Sequence, residues 1–231
     1  MRILAVDTSA VCASVAVVEN GRIRAQSSTN AGLTHSRTLL PMIDALLQNS
    51  ETPLTSIDCF ACAVGPGSFT GIRIGIAAIK GLCDGTGKQA LAVSTLEGLA
   101  YNLLGQDVLA CAVMDARCNQ VYTALFDVHG DAVTRLTADD ARKIEDLGKL
   151  LEQYKDRRIV FVGDGADKCA QALPYPAAPA LTRFQNAASV ALAAERSFDE
   201  SRLLDAQQLL PVYLRLPQAE RELRAKRNAS Q

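Results

Sequence analysis

The chain has 231 residues, 48% of them hydrophobic, enough to bury the core of one large domain or of two lobes. Its formal net charge is −1 and its pI is near 6.1, so it lacks the broad positive field that draws nucleic acid, and any RNA contact must be local or supplied by a partner. The first apolar run stops at Asp7 and no stretch reaches about 18 uninterrupted apolar residues, so neither a signal peptide nor a membrane span is expected, and the expected compartment is the cytoplasm.

The opening reads as an antiparallel meander of three strands, at residues 2–7, 11–18 and 23–28, with Asn20-Gly21 as the tight turn between the last two. Residues 36–48 carry a stripe of helical period, Leu39, Leu40, Ile43, Leu46 and Leu47, interrupted by Pro41, which costs a hydrogen bond or a kink. A short apolar strand at 57–64 runs into the turn Gly65-Pro66-Gly67-Ser68-Phe69-Thr70-Gly71, and a helix is expected over 71–84. A strand at 90–93 and a helix at 96–104, capped by Ser94 or Thr95, close the first half. The pattern then restarts. Strands at 108–114 and 120–128 flank the polar turn Asp115-Ala116-Arg117-Cys118-Asn119, a third falls near 132–136, and a helix follows over 144–154. A strand at 159–162 ends in Gly163-Asp164-Gly165-Ala166, with helices near 167–173 and 186–198 after it. Two α/β lobes of similar plan are expected, residues 1–105 and 106–231.

Seven cysteines, an odd number set in apolar runs, read as small buried hydrophobes of a reducing compartment. Cys59-x-x-Cys62 has zinc or redox spacing, but strand residues three apart point to opposite faces, and no second such pair completes a tetrahedral site. The glycine turn suits phosphate binding or tight docking, since the helix start offers free amide donors. Its spacing, Gly65-x-Gly67-x-x-x-Gly71, misses the dinucleotide fingerprint by one residue, and Gly87-Lys88 has Leu82 and Gln89 where a P-loop needs glycine and a hydroxyl. His35 beside Ser36, and Ser68 in its loop, lack a G-x-S-x-G elbow, and a triad is defined by three-dimensional roles. His35 and His129, the two histidines of the chain, have no metal-spaced neighbour, so no histidine-ligated ion is expected.

Six pieces in order carry a family resemblance. They are Ile3-Leu4-Ala5-Val6-Asp7-Thr8-Ser9; His35-Ser36-Arg37 running into Leu40-Pro41-Met42-Ile43; and Gly65-Pro66-Gly67-Ser68-Phe69-Thr70-Gly71-Ile72-Arg73-Ile74-Gly75. Then come Val93-Ser94-Thr95-Leu96-Glu97, Asp115-Ala116-Arg117 leading to Val121-Tyr122, and Pro211-Val212-Tyr213-Leu214-Arg215. On these the sequence resembles, over most of its length, the TsaB (YeaZ) family, the non-catalytic paralogues of the TsaD transferase in the bacterial machinery that makes threonylcarbamoyladenosine in tRNA. The resemblance implies a two-lobed actin-like, Hsp70-like ATPase fold with mixed sheets flanked by helices. It also implies a scaffold with no catalytic residue, cofactor or metal, which binds and activates TsaD for modification of ANN-decoding tRNAs. The ATPase TsaE is the implied third member, and tRNA contact is indirect or weak.

In the actin-like superfamily an acidic residue and small hydroxyls after the first strand handle nucleotide phosphates and magnesium, and a glycine turn in the second lobe faces the adenosine. The resemblance places Asp7, Thr8, Ser9, Gly163, Asp164 and Gly165 in such a cleft, here vestigial, because Ala10 follows where catalytic relatives carry glycine. Thr95 and Leu99 stand where the paralogue's H-x-x-x-H holds its metal. The family pairs through helices that correspond here to 36–48 and 71–84, so the expected partner face is Arg37, Leu40, Pro41 and Met42 with Gly71, Arg73, Gly75 and Ala78. Gly71, Gly75 and Ala78 lie four and three apart on one helix side, which permits close approach either of a partner helix or of the chain's own sheet; the resemblance favours the partner. The same helices could pair two copies of the isolated chain as a homodimer, which the sequence leaves open. The tail from Arg215 carries five basic residues against two acidic ones, a local charge of +3, and no aromatic residue, so it reads as a solvated end, the alternative being a weak contact with tRNA phosphates. Two other readings are an active ATPase or small-molecule kinase of this fold, which needs a complete phosphate and magnesium site, and a peptidase-type hydrolase, which needs a metal or an activated nucleophile.

Overall fold

The computed structural model describes residues 1–215. The first lobe opens with β1 (Arg2–Asp7), β2 (Ala13–Glu19) and β3 (Arg22–Thr29), an antiparallel meander turning at Asn20 and Gly21, both with positive φ. Next come α1 (His35–Asn49), β4 (Cys59–Ala63), α2 (Phe69–Thr86), β5 (Ala90–Val93) and α3 (Thr95–Tyr101). The strand order is β3-β2-β1-β4-β5, with β4 parallel to both β1 and β5. Helix α1 runs through Pro41, which sits on its exposed side. Helix α2 begins two residues before the expected start, because the Ser68 hydroxyl accepts the Gly71 N–H as an N-cap; it ends where Gly87 turns left-handed and donates to the Cys83 carbonyl.

The second lobe comprises β6 (Asp107–Asp115), β7 (Gln120–His129), β8 (Ala132–Arg135), β9 (Asp140–Lys143), α4 (Ile144–Leu151), β10 (Ile159–Val162), α5 (Ala166–Ala172) and the short α6 (Ala180–Arg183); α7 (Ala187–Arg196) follows it in the chain. Its sheet runs β10-β6-β7-β8, with β9 also paired to β7. Strand β9 is not foreshadowed in the sequence. The expected helix over 144–154 stops at Leu151 and tightens into a 3-10 turn at Glu152–Tyr154.

Side-chain alternation along the strands builds a layered molecule. Leu4, Val6, Phe60 and Cys62 face α1 and α2, whereas Ile3, Ala5, Cys59 and Ala61 face α7. In the second sheet, Ala110, Ala112, Tyr122 and Phe126 face α3, and Cys111, Val113 and Leu125 face α4 and α5. The two sheets thus sandwich α3 and α7, and α1 with α2 forms one outer layer. This is the two-lobed actin-like plan that the resemblance implies. Helix α7 can lie against β1 and β2 because Ala187, Ala188, Ala191, Ala193 and Ala194, all buried, keep its inner surface low.

The boundary at 105/106 does not hold for the end of the chain. After α6 the chain returns to the first lobe: α7 packs on β1, β2 and β4, and Leu204 bridges Ala90 beside β5. The first lobe is therefore built from two separate stretches. No helix among the described residues is long and apolar enough to cross a membrane.

Candidate functional site

Between the lobes lies a cleft of about 730 Å³, lined by Ser9, His35, Gly67, Ser68, Arg73, Asp115 and Asp164 among others. The end of β1 is locked rather than open. Asp7, 1% exposed, accepts the Ser9 N–H at 2.9 Å and the Ser9 hydroxyl at 2.6 Å through Oδ1, and the Thr8 hydroxyl donates to the Gly71 carbonyl at 2.7 Å. Thr8 therefore bolts β1 to α2 instead of facing the cleft. Gly67 passes so close to the Ser9 carbonyl that a Cβ would lie 2.4 Å from it, and at Gly163, φ +120°, a Cβ would lie 2.1 Å from the Val113 carbonyl. Of the six residues expected around a vestigial nucleotide, Ser9 and Asp164 line the cleft and Asp7 sits beneath it, while Gly163 and Gly165 pack on β6. His35 donates from Nε2 to the Ala10 carbonyl at 2.7 Å, an anchor that the sequence did not signal.

Two buried carboxyls set the electrostatics. Burial pushes Asp7 up to about 6 against the pull of its Ser9 hydrogen bonds, and neighbouring Asp164 adds repulsion. Burial likewise raises Asp164 to about 6, opposed by the Gln185 amide that donates to it at 3.4 Å. Because the folded value lies above that of an unfolded aspartate, Asp7 favours folding most at low pH, and that advantage is lost as pH rises through about 6. Asparagine keeps an oxygen for both Ser9 bonds and carries no charge. Asp7→Asn is therefore expected to gain about 2–3 kcal/mol over the parent at pH 7.5, roughly 5–10 °C in melting temperature, and much less at pH 4.5. Thermal unfolding at the two pH values checks this, and an equal difference at both would contradict it.

The glycine stripe of α2 points inward. A Cβ at Gly71 would lie 2.0 Å from the Thr8 carbonyl oxygen, and one at Gly75 would lie 2.5 Å from Thr8 Oγ1. Both glycines are buried, and half-buried Ala78 packs on the first-lobe core, so the expectation that they form a partner face is corrected: they let α2 approach β1. The exposed side of α2 carries a second small-residue row, Ala77, Gly81 and Gly85, four apart, with the same spacing as the inner pair. A Cβ at Gly81 or Gly85 meets nothing within 4 Å. Beside it α1 exposes Arg37, Leu40 and Pro41, with Leu40 57% exposed, whereas Met42 is half-buried in a groove against β3. Arg73 is exposed but engaged, its Nε donating to the Tyr213 hydroxyl at 2.8 Å.

Other candidate chemistry is used structurally. Thr95 and Leu99 are core residues, 0% and 1% exposed. Ser68 caps α2, and exposed His129 pairs with Asp107 at 3.3 Å. Cys59 and Cys62 sit on opposite faces of β4, and burial pushes both thiols up, Cys59 to about 11. Among the described residues no three His, Cys, Asp or Glu side chains group as a metal site. Of the basic tail, all but Arg215 lies outside the described residues.

The family model of TsaD, tRNA N6-adenosine threonylcarbamoyltransferase, matches residues 27–220. The chain is 32% identical over 163 residues, 71% of each sequence, to the tRNA threonylcarbamoyladenosine biosynthesis protein TsaB of Bacillus subtilis. It is 39% identical over 126 residues to the TsaB protein of Escherichia coli, an alignment spanning 54% of each. The structure of YeaZ from Pseudomonas aeruginosa superposes with a TM-score of 0.80 at 26% identity, covering 92% of this chain and 99% of that one.

Proposed function

The chain belongs to the TsaB family of tRNA threonylcarbamoyladenosine biosynthesis proteins, and from that membership we propose that it acts as a non-catalytic subunit that binds the TsaD transferase through α1 and α2. The observation that carries the reading is the outer surface of these helices. Leu40 is exposed on α1, and the neighbouring α2 presents the open row Ala77, Gly81 and Gly85, a low surface onto which a partner helix can pack closely. Covering Leu40 in a complex would remove its apolar surface from water. A subunit that binds the active arrangement of TsaD better than the inactive one raises the active population by its differential affinity, so it needs no reactive group of its own.

In this reading the cleft is a relic, since the Thr8 and Ser9 hydroxyls are spent on Gly71 and Asp7. The family resemblance supports the ATPase TsaE as the third member, pairing of two copies through the same face when TsaD is absent, a cytoplasmic location, and tRNA contact made mainly by TsaD. The near-neutral charge of the chain supports the last point. Mixing the purified chain with TsaD at micromolar concentration and separating by size is expected to give one stoichiometric complex. Separate elution of the two proteins would contradict the proposal.

A further inference from the structure

We propose that residues 209–215 are an interlobe strap that sets how far the cleft opens. The strap is fastened first to the lobe that holds α2. Leu209 is 0% exposed in the core under α1 and α2, and the Val212 N–H donates to the Val64 carbonyl at 2.8 Å. The Val212 carbonyl lies so close over Gly65 that a Cβ there would be 2.4 Å away, so any side chain would push the strap off. Tyr213 then stacks on Phe69, with centroids 4.1 Å apart and planes 13° from parallel. The Arg73 guanidinium holds the pair, donating to the Tyr213 hydroxyl and lying 5.6 Å and 5.8 Å from the two ring centroids.

One residue later the chain crosses to the other lobe. Leu214 packs on the cluster formed by α3 with β6 and β7, and Arg215 Nη1 donates to the Ala116 carbonyl at 2.7 Å, in the turn that follows β6. Phe69, Arg73 and Ala116 all line the cleft, on both sides of it, so the strap ties together residues from its two walls. The lobes also meet at the buried α3 and α7 layer, a packed core that yields last. Beyond its buried anchor Leu209, the crossing segment 212–215 is held by one ring stack, the packing of half-buried Leu214 and single hydrogen bonds at a partly exposed edge, the kind of structure that opens first. Its fastening fixes the lobe angle without any bound ligand.

The test uses the full chain carrying Leu33→Cys. Leu33 is 54% exposed on the cleft rim of the first lobe, and Cys118, the exposed cysteine among the described residues, lies at the second-lobe turn, so spin labels at the two report the opening. In Tyr213→Ala the distance distribution by pulsed electron paramagnetic resonance is expected to broaden and shift to longer distances. The Val212 amide should exchange about tenfold faster, as loss of one ring stack implies. A folded Tyr213→Ala protein whose distribution matches the parent would overturn the proposal. Should that variant fail to fold, Arg215→Ala, which removes the bond to Ala116, decides by the same reading.

Discussion

Gly71→Ala is expected to cost the fold about 3 kcal/mol or more, because the added carbon would stand 2.0 Å from a backbone oxygen that has nowhere to go. The oxygen belongs to Thr8, whose own hydroxyl is bonded to the Gly71 carbonyl, so β1 and α2 are fastened at the point where the new atom would force them apart. Helix propensity acts the other way, since alanine improves on glycine by about 1 kcal/mol, and the expected net loss is steric. Gly75→Ala should cost less: the nearest atom there is Thr8 Oγ1, 2.5 Å away, and a side chain can rotate at the expense of its hydrogen bond. Urea unfolding followed by circular dichroism reads both values. Wild-type stability in Gly71→Ala would mean that α2 can slide on β1.

Gly81→Arg is expected to do the reverse, leaving the fold intact and removing the partner. Nothing lies within 4 Å of a Cβ there, and arginine at an exposed helix position gains about 1 kcal/mol of propensity over glycine, so the melting temperature should hold or rise. At a close helix contact, however, a long charged side chain holds the helices apart and must itself be desolvated, a penalty of about 2 kcal/mol or more and roughly 30-fold in Kd. Titration calorimetry with TsaD reads the loss. Unchanged affinity would move the interface off this face.

The two glycine substitutions also mark where the sequence ran out. Periodicity identifies small-residue rows on α2, but Gly71 with Gly75 and Gly81 with Gly85 have the same spacing, and only Thr8, more than sixty residues upstream, decides which row faces inward. Local signals worked where the physics is local: the Asn20-Gly21 hairpin, the β10 limits at Ile159–Val162, and the opposite faces of Cys59 and Cys62. Strand β9, Asp140-Ala141-Arg142-Lys143, has no apolar alternation and exists because its backbone pairs with β7. The return of α7 to the first sheet likewise has no local trace beyond its run of alanines. Around the cleft, the Ser9 bond to Asp7 is local, but the bond of Thr8 to Gly71 and the crossing of Tyr213 and Arg215 depend on contacts distant in sequence.

In the proposed role this chain works through its outer helices and not through its cleft. The most direct measurement is the rate of threonylcarbamoyl transfer to tRNA in a mixture containing TsaD and TsaE when this chain is supplied as wild type, as Asp7→Asn or as Gly81→Arg. With the chain supplied near the wild-type Kd for TsaD, the expected result is full support by Asp7→Asn and a rate with Gly81→Arg close to that without the chain. Loss of transfer with Asp7→Asn in a folded, TsaD-binding protein, or full transfer with Gly81→Arg, would contradict it.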